Sequence, residues 1–195
     1  MHKRNKKYLF SFVIIVLLFK GCGLFDTRDP ENPETVRSTY IPPTTPEIVI
    51  DNLSFSIQEK NSDNYNKCIS PANYFYVPDA QSLANYKHIF LNWNSFSEKR
   101  YLDNLINETN ANSSSVLFLD NKRFTPVTSD STIFQADYIV VFQHNRTNIP
   151  KSAKGNITLS LVTDANDLYY IRKWEDFRQH DTDFTWSELK ANFTN

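Results

Sequence analysis

The spacing of apolar positions along this chain changes once, near its middle. In "TTPEIVIDNLSFSIQEKN", Val49, Leu53 and Ile57 recur every four residues, which places them on one face of a helix. Thr45 stands where an N-cap is expected, Pro46 at the first helical position and Glu47 in the first turn. "SDNYNKCIS" predicts a second, shorter helix capped by Ser62, with Tyr65, Cys68 and Ile69 inward and Pro71 ending it. "NYFYVPD" reads as a strand stopped by Pro78 and Asp79. "NSFSEKRYLDNLINET" predicts a third helix. Ser95 and Glu98 have the spacing of a capping box, and Tyr101, Leu102, Leu105 and Ile106 form the buried face.

In the second half the period falls to two. "SSVLFLD" predicts a short strand. "STIFQADYIVVFQHN" predicts a long one, with Phe134, Ala136, Tyr138, Val140 and Phe142 on one face and Ile133, Gln135, Asp137, Ile139 and Val141 on the other. "GNITLSLVTD" sets Ile157, Leu159 and Leu161 on one face, and "DAND" turns the chain into "LYYIRKWEDFRQ". Three long strands joined by local turns predict an antiparallel meander. Trp186, Leu189 and Phe193 predict a small C-terminal helix clasped against the sheet. Helices followed by strands imply an α+β fold with N-terminal helices packed on one face of a curved antiparallel sheet. A small β-barrel of lipocalin type is the alternative, disfavoured because three helices precede most of the strands.

The first residues follow a different pattern. Lys3, Arg4, Lys6 and Lys7 precede the uncharged run Tyr8 to Phe19. A basic start and an apolar run of this length have the form of an export signal. A membrane span needs about 20 apolar residues, and Lys20 interrupts any extension of the run. Gly21 and Cys22, with Leu17 and Leu18 upstream, resemble a bacterial lipoprotein signal. In that family a small residue precedes a cysteine that is acylated and becomes the mature N-terminus. Phe19 stands where leucine is usual and Lys20 where a small residue is usual. The resemblance implies a signal peptide over residues 1–21, lipidation at Cys22 and a membrane partner through the acylated Cys22. Gly23, where the family's inner-membrane proteins carry aspartate, implies a bacterial cell-envelope location at the outer membrane, facing the periplasm. A plain secreted protein and an uncleaved anchor are the other readings of the box Phe19-Lys20-Gly21-Cys22. Residues 22–45 are rich in proline, threonine and acid and read as a stiff tether, although Tyr40 and Ile41 are suited to packing on a domain. Residues 46–195 have the length of a single domain.

Composition narrows the chemistry. The chain has 21 Lys+Arg and 22 Asp+Glu. Removing residues 1–21 takes away five basic residues and no acid, leaving a net charge of −6. An acidic domain is a poor partner for nucleic acid. Of 3 glycines in the chain only Gly155 lies beyond residue 45, which excludes phosphate loops, dinucleotide fingerprints and Gly-x-Ser-x-Gly elbows. Once Cys22 is acylated, Cys68 has no partner within the chain and reads as a small buried hydrophobe. His88, His144 and His180 are scattered, and neither "DNKRFTPVTSD" nor "DANDL" has calcium-loop spacing, so no metal site is expected. Nothing calls for a cofactor.

The order of elements resembles the nuclear-transport-factor-2-like or SnoaL-like cone, also described as a cystatin-like roll. Two helices, a short strand, a third helix and a curved sheet carry the resemblance. The aromatic ending "YYIRKWEDF" followed by "FTWSELKANF" adds to it and resembles small bacterial envelope lipoproteins with that domain and no assigned reaction. The resemblance implies a pocket between sheet and helices. In isomerases, dehydratases and cyclases of this fold the pocket holds a carboxylate or histidine base and an oxygen-stabilising donor. Asp137 is the candidate base here, with His144, Arg172, Asp176 and Tyr138 also near strands. The aromatic content is 14%. Trp93, Tyr101, Tyr138 and Trp174 are the candidate ligand-binding residues, and Phe118, Phe134, Phe142 and Phe177 are further candidates to line a cavity. The first functional reading is an anchored envelope protein that presents a small domain to a partner protein or apolar ligand. The alternative is an isomerase-, dehydratase- or cyclase-like enzyme.

Overall fold

The computed structural model describes residues 38–194. The expected signal peptide, Cys22 and the expected tether up to residue 37 lie outside the described residues. Helix α1 spans Pro46–Gln58 and buries Val49, Ile50, Leu53 and Ile57. Pro46 suits its first turn because the missing N–H has no helical partner there. Thr45 has the extended backbone of an N-cap but makes no side-chain capping bond. Helix α2, Ser62–Lys67, is capped by Asn61 rather than Ser62; the Asn61 side chain accepts from the Asn64 N–H.

Strand β1 is Phe75–Val77. Two short helices follow that hydrophobic spacing did not reveal, α3 (Ala80–Asn85) and α4 (Lys87–Phe90). Neither is long enough to show a repeating apolar face. Helix α5, Ser95–Asn107, begins where expected, but its cap is Asn94, which accepts from Phe96 and Ser97 N–H. Glu98 makes no capping box there; its side chain is fully buried.

The strands are β2 (Val116–Thr128), β3 (Ser131–Val141), β4 (Ser152–Thr163) and β5 (Tyr169–Phe177). They form one sheet in the order β1-β5-β4-β3-β2. The meander of β2 to β5 is antiparallel, as expected, whereas β1 pairs with β5 in parallel. The sheet is therefore mixed. Helices α3 to α5 and three strands lie between β1 and β5 in the chain, so this parallel connection is a crossover. β2 is far longer than "SSVLFLD" suggested. A bulge between Asp120 and Arg123, with Asn121 at φ 52°, lets it continue past the polar segment.

Helix α6, Trp186–Asn192, closes the open side of the sheet. Thr185 and Glu188 cap it reciprocally. The core lies between the α helices and the face of β3 that carries Phe134, Ala136, Tyr138 and Val140. A segment preceding α1 packs on this domain. Pro43 carbonyl accepts from Tyr169 N–H at 2.8 Å, Tyr40 packs against the core, and the Asn52 side chain both donates to and accepts from the Ile41 backbone. Among the described residues no helix is long and apolar enough to cross a membrane. The architecture is the predicted α+β cone, helices packed on a curved five-stranded sheet.

Candidate functional site

Two charged side chains sit where a helix stripe calls for apolar ones. On α5 Glu98, Tyr101, Leu102 and Leu105 are among the buried positions; on α6 and its C-cap so are Trp186, Leu189, Lys190 and Phe193. These are the i, i+3, i+4 and i+7 positions of one face, so Glu98 and Lys190 are driven into the core and toward each other. Both side chains are 0% exposed, and Lys190 Nζ donates to Glu98 Oε1 at 2.6 Å.

Glu98 is the hub of this cluster. Its Oε1 also accepts from Tyr74 OH at 2.5 Å and Trp93 Nε1 at 2.7 Å, and its Oε2 from Tyr65 OH at 2.9 Å. Hydrogen bonds to an ionised carboxylate are stronger than neutral ones, so the donors compensate for part of the lost hydration. Lys190 is enclosed by rings: Tyr76 at 3.7 Å and Trp174 at 4.2 Å from ring centroid to Nζ, with Tyr101 at 5.6 Å and Trp93 at 5.8 Å. Burial lowers the lysine's pKa to about 8, against the opposing pull of Glu98. Burial also raises the phenols of Tyr65, Tyr74 and Tyr76 well above 10, so they remain donors at neutral pH.

The fold thus brings the four candidate aromatics to one place. Trp93, Tyr101, Tyr138 and Trp174 are 6%, 0%, 2% and 0% exposed. Trp93, Tyr101 and Trp174 surround Lys190, and Tyr138 stands one layer further along. Tyr138 packs against Trp186 with the rings tilted and their centroids 5.3 Å apart, and Trp186 meets Trp174 edge-on at 4.7 Å. The space between helices and sheet is occupied by the chain's own Trp186 and Lys190. Phe134 and Phe142 are also buried, whereas Phe118 and Phe177 are 59% and 45% exposed. Those two do not line the interior.

A second polar cluster anchors α6. Asp176 is 1% exposed and accepts from Tyr138 OH at 2.7 Å, Ser187 N–H at 2.7 Å and Ser187 Oγ at 2.5 Å. Burial raises its pKa, and the hydrogen bonds from Ser187 and Tyr138 oppose that. Strict alternation would put Tyr170, Arg172, Trp174 and Asp176 on one face of β5, but a bulge at Arg172 shifts the register between Ser160 and Leu161 and separates them. Ile171, Trp174 and Asp176 point inward, and Arg172 is exposed. Asp79 joins the cluster by accepting from Ser82, Thr185 Oγ1 at 2.7 Å and Arg178 Nε at 3.3 Å.

Asp137 lies on the opposite face of β3 from Tyr138, away from the interior. Its carboxylate accepts from the side-chain amides of Asn121 at 2.6 Å, Asn156 and Gln179 at 3.1 Å. His144, the other candidate base, is buried beyond the end of β3. Its Nε2 lies 3.1 Å from Pro150 carbonyl and its ring meets Phe193. Burial lowers its pKa first of all. Cys68 is buried, and burial pushes its thiol up to about 12, which leaves it inert as a nucleophile. Among the described residues no cluster of His, Cys, Asp and Glu has the arrangement of a metal site.

The outer surface carries the open features. Two shallow grooves of about 620 and 520 Å³ meet at Arg172 and Val162, lined by Asp130 and Tyr170 on one side and by Phe75 and Val127 on the other. On the outer sheet face Phe118 and Ile139 are cross-strand partners, 59% and 46% exposed.

No family model and no curated protein match the chain. Solved structures do. A proposed aromatic ring hydroxylase from Novosphingobium aromaticivorans is 8% identical over 73% of this chain and 92% of that one, with a TM-score of 0.51. A proposed scytalone dehydratase from the same organism is 9% identical over 67% and 78%, also at 0.51. An NTF2-like superfamily protein from Salmonella enterica is 10% identical over 69% and 88%, at 0.49. At such identities the likeness, carried by the first two, is one of fold: this chain has the α+β cone that those proteins have.

Proposed function

We propose that the protein is a lipid-anchored component of the bacterial cell envelope whose domain works by binding a partner protein at its surface, without a reaction of its own. The observation that carries this reading is the occupied interior. An enzyme or carrier of this architecture needs room between sheet and helices, and here Trp186 and the Lys190–Glu98 pair fill it. Asp137, the residue first considered as a base, faces the other way among three amides. What remains for recognition is the outside, where Phe118 and Ile139 form an exposed apolar pair on the sheet. The anchor rests on Gly21-Cys22 and the basic and apolar segments before it.

Two experiments test the parts separately. Intact-mass analysis of protein isolated from bacterial membranes is expected to find a chain that begins at an acylated Cys22. Cleavage at another site, or a retained Met1, removes the anchor. A photo-crosslinking residue in place of Ile139 in the membrane-bound chain is expected to give one protein adduct, lost on Phe118→Glu and recovered when the adduct partner is itself purified. Absence of that adduct, together with a co-purifying small molecule, overturns the partner-binding reading.

A further inference from the structure

The two outer grooves share Asn73, Ser131, Val162 and Arg172, so these residues stand at their junction. Arg172 reaches that place through the bulge in β5. Ile171 pairs with Leu161 and Lys173 with Ser160, which leaves Arg172 with no residue opposite it on β4. Strict alternation would turn Arg172 inward with Trp174 and Asp176. The bulge turns it outward instead, into the lining of both grooves. Bulges re-aim side chains in this way beside binding and active sites.

The guanidinium is left without a partner there. Neighbouring cations are paired, Lys173 with Glu175 and Arg178 with Asp79 and Glu188. Arg172 has neither an ion-pair nor a hydrogen-bond partner among the described residues, although Asp130 and Asp164 line the same groove. Both acids are engaged by their own turns. Asp130 accepts from Thr128 Oγ1, and Asp164 accepts from Asn166 N–H at 2.8 Å and Leu168 N–H at 3.1 Å. The exposed Asn73 side chain at the junction likewise has no hydrogen-bond partner among the described residues. A guanidinium presents its donors as a planar fork, and a carboxylate is the group that takes two parallel hydrogen bonds from it.

The two arms of the furrow differ. The arm of about 520 Å³ is lined by Ile133 and by Phe75 and Val127, which are 59% and 60% exposed. The arm of about 620 Å³ carries Asp130 and Asp164, which disfavour a second anion. Each volume is that of a small-molecule site. We propose that the junction binds a small monocarboxylate with an apolar body. Arg172 and Asn73 hold the carboxylate, and Phe75 and Val127 cover the body. The site is separate from the anchor and from the Phe118–Ile139 pair, so either reading can fail without the other.

The probe is 4-phenylbutyrate, with 4-phenylbutanamide as its uncharged counterpart, in NMR titrations of the full chain in detergent at neutral pH. The acid is expected to give saturable shifts at the backbone amides of Asn73, Phe75, Val127, Ser131 and Arg172. The amide is expected to bind roughly tenfold more weakly. Arg172→Gln is expected to remove the preference for the acid, whereas Val127→Ser weakens acid and amide alike. Arg172 is exposed and unpaired, so Arg172→Gln is expected to keep the wild-type thermal midpoint, and its loss of preference then reports on the site. Equal binding of acid and amide to the wild-type chain, a preference that survives Arg172→Gln, or shifts that map elsewhere or do not saturate overturn the proposal.

Discussion

Single residues decide the interior of this domain. Breaking a buried ion pair by removing one partner leaves an uncompensated charge, and the usual cost is about 3–5 kcal/mol. Lys190→Met is therefore expected to lower stability in chemical denaturation by about that amount, while Glu98→Gln with Lys190→Met recovers most of the loss. Similar losses in the single and double variants would show that the pair is not coupled. The pair also carries a pH signature. The folded lysine titrates near 8 and the unfolded one near 10.5. Between those values the unfolded chain binds more protons, so stability rises with pH relative to the double variant, which has no group at that position to titrate. Below pH 8 both states are charged and the burial penalty is complete. The expected gain across the window is on the order of 1–3 kcal/mol, read from denaturation midpoints; a flat or falling difference contradicts it. Gly155 is the third decisive residue. A Cβ there would lie 2.5 Å from Phe177 carbonyl oxygen and 2.9 Å from Tyr138 Oη. The Tyr138 phenol crosses the strand at this point to reach Asp176. Gly155→Ala is expected to cost about 1–3 kcal/mol and to shift the fluorescence of Trp186, whose ring packs against Tyr138. An unchanged midpoint and spectrum would show that the strand yields without strain.

At the scale of elements, α6 holds the interior together. Its N-terminus is fixed by Thr185, whose hydroxyl serves both the helix cap and Asp79, and by Asp176. Its C-terminus is fixed by Arg146, which donates to Glu108 from Nε and Nη2 and to Asn192 carbonyl from Nη1, and lies 4.3 Å over the Phe193 ring. Thr185→Ala removes the cap and leaves Asp79 one donor short, with an expected loss of about 1–2 kcal/mol. Faster hydrogen exchange confined to α6 and the Trp186 indole is the measurement; exchange that rises evenly across the domain would contradict a local role. The elements were legible in the sequence to unequal degrees. Helices α1 and α5 and the strands β3 and β4 show their period over several repeats, so their faces could be assigned. Helices α3 and α4 are too short to show one. The extension of β2 was hidden by its polar residues, and the inward turn of Asp176 by the bulge at Arg172. Bulges change parity without leaving a mark in the alternation itself.

For the whole molecule, the order of helices before strands was enough to anticipate the cone, and the aromatic residues were enough to anticipate where its interior lies. The occupant of that interior was not anticipated, because Glu98 matched the spacing of a helix cap and Lys190 is a type of residue rarely buried. The signal that could have found both was available: each stands at a core position of its helix, and the two have opposite charge. The edge of the sheet shows a related economy. β2 carries Lys122, Arg123, Pro126 and a bulge, features that discourage another strand from pairing there, so the exposed apolar pair Phe118–Ile139 is set on a face rather than offered as an edge. The cone is filled by the chain's own lysine, and lysine-selective labelling of the full chain for NMR reads that occupancy directly. One lysine is expected whose ε-methylene protons are shifted upfield by the Tyr76 and Trp174 rings, whose ammonium protons exchange slowly, and whose titration falls near pH 8, all lost in Lys190→Met. If Lys190 instead gives the shifts, exchange and titration of a solvated lysine, the interior is open and the account fails.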